Sequence, residues 1–158
     1  MILYHGSNMQ VLSVDMAKCM PGKDFGCGFY LTDIKEQAEY MAKRRVKIAR
    51  YGEAIVSSYL FDEQVLLDGS ISVKVFEKPS EEWALFILAN RNNESRQNVH
   101  SYDVVIGPVA DDGVAFQLER YEQGMISLEV LVKELTYRKL NKQYFFGTQK
   151  AISYLSVL

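Results

Sequence analysis

Cysteine is scarce in this chain, and the two that occur, Cys19 and Cys27, have no Cys-x-x-Cys spacing and no neighbouring histidine. A zinc site and a disulfide framework are therefore not indicated, and two reduced thiols are the simplest expectation. Neither sign of charge dominates. Eighteen Lys and Arg against 20 Asp and Glu leave a formal net charge of −2, which gives no long-range attraction to nucleic acid. The one basic run, Lys43-Arg44-Arg45-Val46-Lys47-Ile48-Ala49-Arg50, could touch phosphates but reads more simply as the solvated face of a helix. Long apolar runs are also missing. None reaches the ~18 residues that suggest a membrane span, and Met1-Ile2-Leu3-Tyr4-His5 lacks the basic start and apolar core of a signal peptide. A cytoplasmic protein without a membrane partner is expected.

Two phosphate-binding signatures fail as well. Gly26-Cys27-Gly28 has no third glycine and runs into Phe29-Tyr30-Leu31 rather than a helix, so it is not a dinucleotide fingerprint. The stretch from Gly107 to Gly113 has no Lys-Ser/Thr and is not a phosphate loop. What the chain does have is aromatic side chains, ten Tyr and eight Phe, in 158 residues that are 48% hydrophobic. That length and composition fit one globular domain spanning residues 1–158, with room for one sizeable core.

Ile2 to His5 is a short β-like run stopped by Gly6-Ser7-Asn8, and a long shaped loop follows to Gly26. Asp33 offers a helix cap with Glu36 three residues on, and Ile34, Ala38, Met41 and Ala42 recur at helical spacing, predicting a helix over 34–49. Ile55 to Phe61 is the clearest strand, and Ser72 to Phe76 reads as another short extended piece. Pro79-Ser80-Glu81-Glu82 opens an apolar helix closing near 91–93. Tyr102 to Pro108 reads as a buried strand, with helices over about 111–123 and 128–137 after it. Gln143 to Phe146 is a last strand, and Thr148 begins a terminal helix through Leu155. Strands at both ends, helices between and no regular βαβ rhythm predict an α+β fold with split, mainly antiparallel sheets and flanking helices.

Three blocks carry the candidate chemistry: Leu3-Tyr4-His5-Gly6-Ser7, then Asp24-Phe25-Gly26-Cys27-Gly28-Phe29-Tyr30-Leu31-Thr32, and Gln143-Tyr144-Phe145-Phe146. Each residue alone has a plain structural reading: His5 as a satisfied core histidine, Gly26 and Gly28 as turn residues, Tyr30 as a core aromatic. Their order resembles the three blocks of the ADP-ribosyltransferase superfamily in its His-Tyr-Glu branch, which includes poly(ADP-ribose) polymerases and diphtheria toxin. Within that branch the chain most resembles small bacterial ADP-ribosyltransferase-like proteins.

The resemblance implies an NAD-dependent mono-ADP-ribosyltransferase that releases nicotinamide and passes ADP-ribose to a macromolecular acceptor, without a metal. It also implies roles: Tyr30 stacks on nicotinamide, Tyr40 walls the same pocket, and His5 bonds the adenosine ribose. Gly6 backbone groups clasp the carboxamide beside Ser7, and Gly28 belongs to the middle block. An aromatic face suits a planar electron-poor ring, and a glycine lets backbone come close. Toxins paired with an antitoxin occur among such proteins, so an antitoxin partner is a further implication.

The third block departs from the pattern. The family's catalytic glutamate matches Gln143, which can hydrogen-bond a ribose hydroxyl but brings no charge to offset a developing cation, a loss on the order of 10²–10³ in rate. A weakened NAD- or nucleotide-binding module is therefore an alternative, as is an NAD glycohydrolase, and Gln143→Glu is expected to raise turnover. Replacement carboxylates could come from Glu119 and Glu122 on one helix face or from Asp111-Asp112, though solvated surface and helix capping explain these better. Trp83 reads as core.

Overall fold

The computed structural model describes all residues 1–158. Its first strand, β1 (Ile2–Ser7), is followed by a long loop holding a 3-10 turn at Met16–Lys18, then β2 (Phe29–Leu31) and α1 (Lys35–Ala49). Next come β3 (Ile55–Phe61), a 3-10 turn at Glu63–Leu66, β4 (Val73–Val75), α2 (Glu81–Arg91) and β5 (Val104–Pro108). The chain closes with α3 (Asp112–Glu122), α4 (Leu128–Leu135), β6 (Lys142–Phe146), α5 (Gln149–Ile152) and β7 (Leu155–Val157).

These strands form two sheets, a three-stranded one in the order β1-β3-β7 and a four-stranded one in the order β2-β6-β5-β4. Every pairing is antiparallel except β4 with β5. A parallel pair needs a long crossover, and α2 lies within the one that joins β4 to β5. The fold is α+β with two mostly antiparallel sheets.

Alternation of side chains along each strand divides the interior into two cores. Leu3, Phe29, Leu31, Tyr59, Phe61, Val104, Ile106, Tyr144 and Phe146 fill one. Phe25, Trp83, Val105, Phe145 and the apolar stripes of α2, α3 and α4 fill the other. Since β5 faces both, all five of its residues are buried, which explains its uninterrupted apolar sequence.

Two local expectations give way. The predicted helix from Thr148 through Leu155 stops at Ile152, and the last residues form β7, with Val157 opposite Tyr59 and the Leu158 N–H donating to the Ser58 carbonyl at 3.0 Å. Pairing with a distant strand satisfies this backbone, so the capping signal at Thr148 commits only one turn. Asp33 does not cap α1. The Ile34 N–H donates to Thr32 Oγ1 at 3.1 Å, while the Asp33 carboxylate accepts from the Tyr144 hydroxyl at 3.2 Å.

Candidate functional site

The two sheets meet at one bridge and then part. The Tyr4 N–H donates to the Thr32 carbonyl at 2.7 Å and the Thr32 N–H to the Tyr4 carbonyl at 2.9 Å. One step further, antiparallel pairing would set Gly6 opposite Tyr30. Instead the His5 ring enters, with Nδ1 2.8 Å from the Tyr30 carbonyl oxygen. A carbonyl only accepts, so Nδ1 carries the proton and Nε2 presents its lone pair. Backbone groups in an antiparallel ladder point alternately to either side, so Gly6 turns its N–H and C=O to the side Tyr4 uses, away from β3. No bond formed outside the helices and strands uses the Gly6 groups. The result is a wedge with free backbone polarity on one wall.

Tyr30 forms the other wall. Register sets it opposite Phe145, and Gln143 lies two residues along the same strand, so all three side chains share one face of the four-stranded sheet. The Tyr30 hydroxyl donates to the Gly26 carbonyl at 2.7 Å and accepts from the Phe25 N–H at 3.0 Å. That hydroxyl is therefore consumed by the loop that precedes β2, and burial raises its pKa far above the ordinary tyrosine value. The ring meets the edge of Phe145 at 5.3 Å between centroids, and the Lys23 ammonium stands 5.4 Å from its centroid. Lys23 is exposed.

Gln143 is held by two acceptors. Its Nε2 donates to Asp24 Oδ2 at 3.0 Å and to the Pro108 carbonyl at 3.3 Å, which fixes the amide with nitrogen inward and leaves Oε1 as an acceptor. Asp24 in turn takes a charged bond from Arg91 Nε at 2.8 Å on α2. The Asp24 side chain is only 14% exposed. Sequence reasoning missed this carboxylate: Asp24 lies 119 positions from Gln143 and 67 from Arg91. Its only local signal was its place at the head of the glycine block.

Burial foremost pulls the His5 pKa below its ordinary value, and the positive charges of Lys23 and Arg45 add to that, against the opposing effect of the Tyr30 carbonyl. Arg45, in the basic run on α1, is itself exposed. No three His, Cys, Asp or Glu side chains cluster as a metal centre would require.

The remaining residues separate clearly. A Cβ on Gly6 would lie 1.9 Å from the Ala38 carbonyl oxygen of α1, so the glycine is required by helix packing on β1 as well as being open at its edge. A Cβ on Gly28 would lie 2.2 Å from the Phe145 ring and 2.7 Å from the Phe146 carbonyl oxygen, so that glycine lets the loop lie against β6. Ser7 is buried, its hydroxyl 3.4 Å from the Asn8 side-chain oxygen, and it lines no open wall. Tyr40 does not join the wedge. Ala38 and Ala42 bury the face of α1 against β1, and Tyr40, two residues from each and about 200° round the helix, is 64% exposed.

The other carboxylates have ordinary partners: Asp111 caps α3 through the Val114 N–H, Glu119 accepts from Gln123 and Glu122 from Asn92. Trp83 is fully buried in the second core.

Two residues outside the three blocks lock the glycine loop. Asn98 accepts the Cys27 N–H at 2.7 Å and donates to the Cys27 carbonyl at 3.0 Å. His100 accepts the Tyr102 N–H on Nδ1 and so donates from Nε2 to the Phe25 carbonyl at 2.7 Å. The Cys27 backbone is thereby spent and cannot cradle a phosphate. A cavity of about 610 Å³ lies on this outer side, lined by Met16, Cys27, Gly147 and residues 96–101, and touches none of His5, Tyr30 or Gln143. The wedge, and not that cavity, brings His5, Gly6 and Tyr30 of the sequence blocks together, which makes the wedge the candidate site.

Fold and site together define an α+β protein whose two sheets separate around a His-Gly-Tyr wedge backed by a Gln-Asp-Arg chain. The chain belongs to the family described as Protein of unknown function (DUF3990), whose family model matches residues 1–157. No curated protein and no solved structure matches it.

Proposed function

We propose that this protein is an NAD-dependent mono-ADP-ribosyltransferase and that the wedge takes the nicotinamide riboside end of NAD. The observation that carries the reading is the parting of β1 and β2 beyond Tyr4 and Thr32, which leaves the Gly6 N–H and C=O facing the Tyr30 side of the gap. A primary carboxamide has one acceptor and two donors, and a strand edge offers the complementary pair. The Tyr30 ring supplies a flat apolar surface for the pyridinium, and Lys23 supplies positive charge for the diphosphate. His5 Nε2 and Gln143 Oε1 are both acceptors, suited to ribose hydroxyls.

In the reaction the C1′–N glycosidic bond breaks and its electron pair leaves with neutral nicotinamide. A nucleophile on a macromolecular acceptor then bonds to C1′ and releases its proton to solvent. Positioning and charge supply the rate: the wedge holds the leaving ring while the acceptor is kept in line.

One observation favours a second reading, a binding module that holds NAD without turning it over: the strand position that the resemblance assigns to the catalytic glutamate carries a neutral amide in Gln143. Free nicotinamide decides. NAD incubated with the protein, with and without cell extract, yields nicotinamide under the transferase reading, and label from NAD appears on a macromolecule only with extract. Release without labelling indicates a glycohydrolase, and no release in either arm refutes both enzymatic readings. His5→Ala, which removes both an acceptor and the spacer between the strands, lowers any true signal.

A further inference from the structure

We propose that Asp24 supplies, through Gln143, the negative charge that the strand itself lacks, so that Gln143 and Asp24 act as one divided carboxylate. This rests on the NAD reading above. The chain of contacts is directional: Arg91 Nε donates to Asp24 Oδ1 at 2.8 Å, and Asp24 Oδ2 accepts from Gln143 Nε2 at 3.0 Å. A second acceptor, the Pro108 carbonyl at 3.3 Å, keeps the Gln143 nitrogen turned inward. An amide whose N–H₂ donates to an anion is polarised, and its oxygen becomes a stronger acceptor. Gln143 Oε1 can then hold a ribose hydroxyl as a carboxylate oxygen would, with formal charge one hydrogen bond behind it.

The arrangement has a physical purpose in this fold. When C1′–N breaks, positive charge develops on the ribose, and a preoriented negative group nearby lowers the barrier. Asp24 sits on the loop that also fixes the Tyr30 hydroxyl through Phe25 and Gly26, so one segment sets both the ring and the charge. Arg91 anchors that segment to α2, and Asn98 and His100 hold its other side. Asp24 is a positioning residue in this scheme, because it reaches the substrate only through the Gln143 amide.

The geometry also changes what Gln143→Glu should do. A glutamate there would face Asp24 across about the same 3.0 Å, and two carboxylates so close cannot both stay ionised, so one takes up a proton. The single substitution is expected to bring no gain.

The test compares wild type, Asp24→Asn, Gln143→Glu and the exchanged pair Asp24→Asn/Gln143→Glu on the full chain, measuring nicotinamide release against NAD concentration together with thermal stability. Asp24→Asn is expected to lower kcat by about 10²-fold while KM for NAD stays within about threefold. The exchanged pair keeps one amide-carboxylate bond, moves the charge onto the strand, and is expected to restore kcat. A purely structural strut would instead raise KM or lower stability, and relocating the charge would not rescue it. Should Asp24→Asn fail to fold, the exchanged pair decides: folding with release supports the assignment, folding without release overturns it. Release by wild type that is undiminished in Asp24→Asn overturns this assignment alone, whereas no release by wild type overturns the NAD reading and this assignment with it.

Discussion

Tyr30→Phe separates the two jobs the structure gives that residue, since it deletes the hydroxyl and keeps the ring. The lost oxygen leaves the Phe25 N–H and the Gly26 carbonyl without their partner, and both residues are buried. Leaving a buried polar group unpaired costs about 1–3 kcal/mol, so two such groups cost about 2–6 kcal/mol together. For a chain of this size each kcal/mol lowers the melting temperature by about 2–4 °C, which gives a fall of roughly 4–24 °C. Amide hydrogen exchange at Phe25 should accelerate, because its N–H loses its acceptor. The Phe145 contact persists, so the ring remains where a ligand would stack. Thermal melting followed by circular dichroism, with exchange read by mass spectrometry, measures both effects. A melting temperature within 2 °C of wild type, with unchanged exchange at Phe25, refutes the claim that this hydroxyl pins the loop.

Two further outcomes follow from placement and burial. Tyr40→Ala removes an exposed side chain from the face of α1 opposite β1, so stability should change by no more than about 0.5 kcal/mol and nicotinamide release should be unaltered; a marked loss of release would mean that Tyr40 reaches the wedge after all. Burial holds both His5 and His100 below the ordinary histidine pKa. At pH values just under about 6.5 the unfolded chain binds protons that the folded protein refuses, so stability is full above that value and falls as pH drops below it. Melting temperatures across roughly pH 7.5 to 5.5 should decline on the acid side, and less steeply in His100→Gln; a flat profile contradicts the buried neutral state of both rings.

Much of the architecture was legible in the sequence, because secondary structure leaves a local periodic trace. The 3.6-residue spacing of Ala38 and Ala42 marked the buried face of α1, and the continuous apolar run Val104 to Ile106 marked a strand covered on both sides. The order of His5-Gly6, Gly26 to Tyr30 and Gln143 also pointed to elements that do converge in space. That Gln143 is a neutral side chain was evident from the sequence alone.

What the sequence could not decide depends on partners far along the chain. The last strand exists because β3 offers it a free edge, and a Thr-capped helix signal at Thr148 has no means of registering that edge. Tyr40 points to solvent because α1 lays Ala38 and Ala42 on Gly6, a matter of helix rotation that spacing to Tyr30 does not encode. Gly6 proved necessary for that same packing, a steric demand set by a helix more than thirty positions later. The wedge itself arises where two sheets share one bridge and then twist apart, and the contact of Asp24 with both Arg91 and Gln143 arises because a loop folds back across the sheet. Local propensity fixes which segments are strands and helices, whereas register, rotation and long-range hydrogen bonds are settled only when distant backbone groups must all find partners at once.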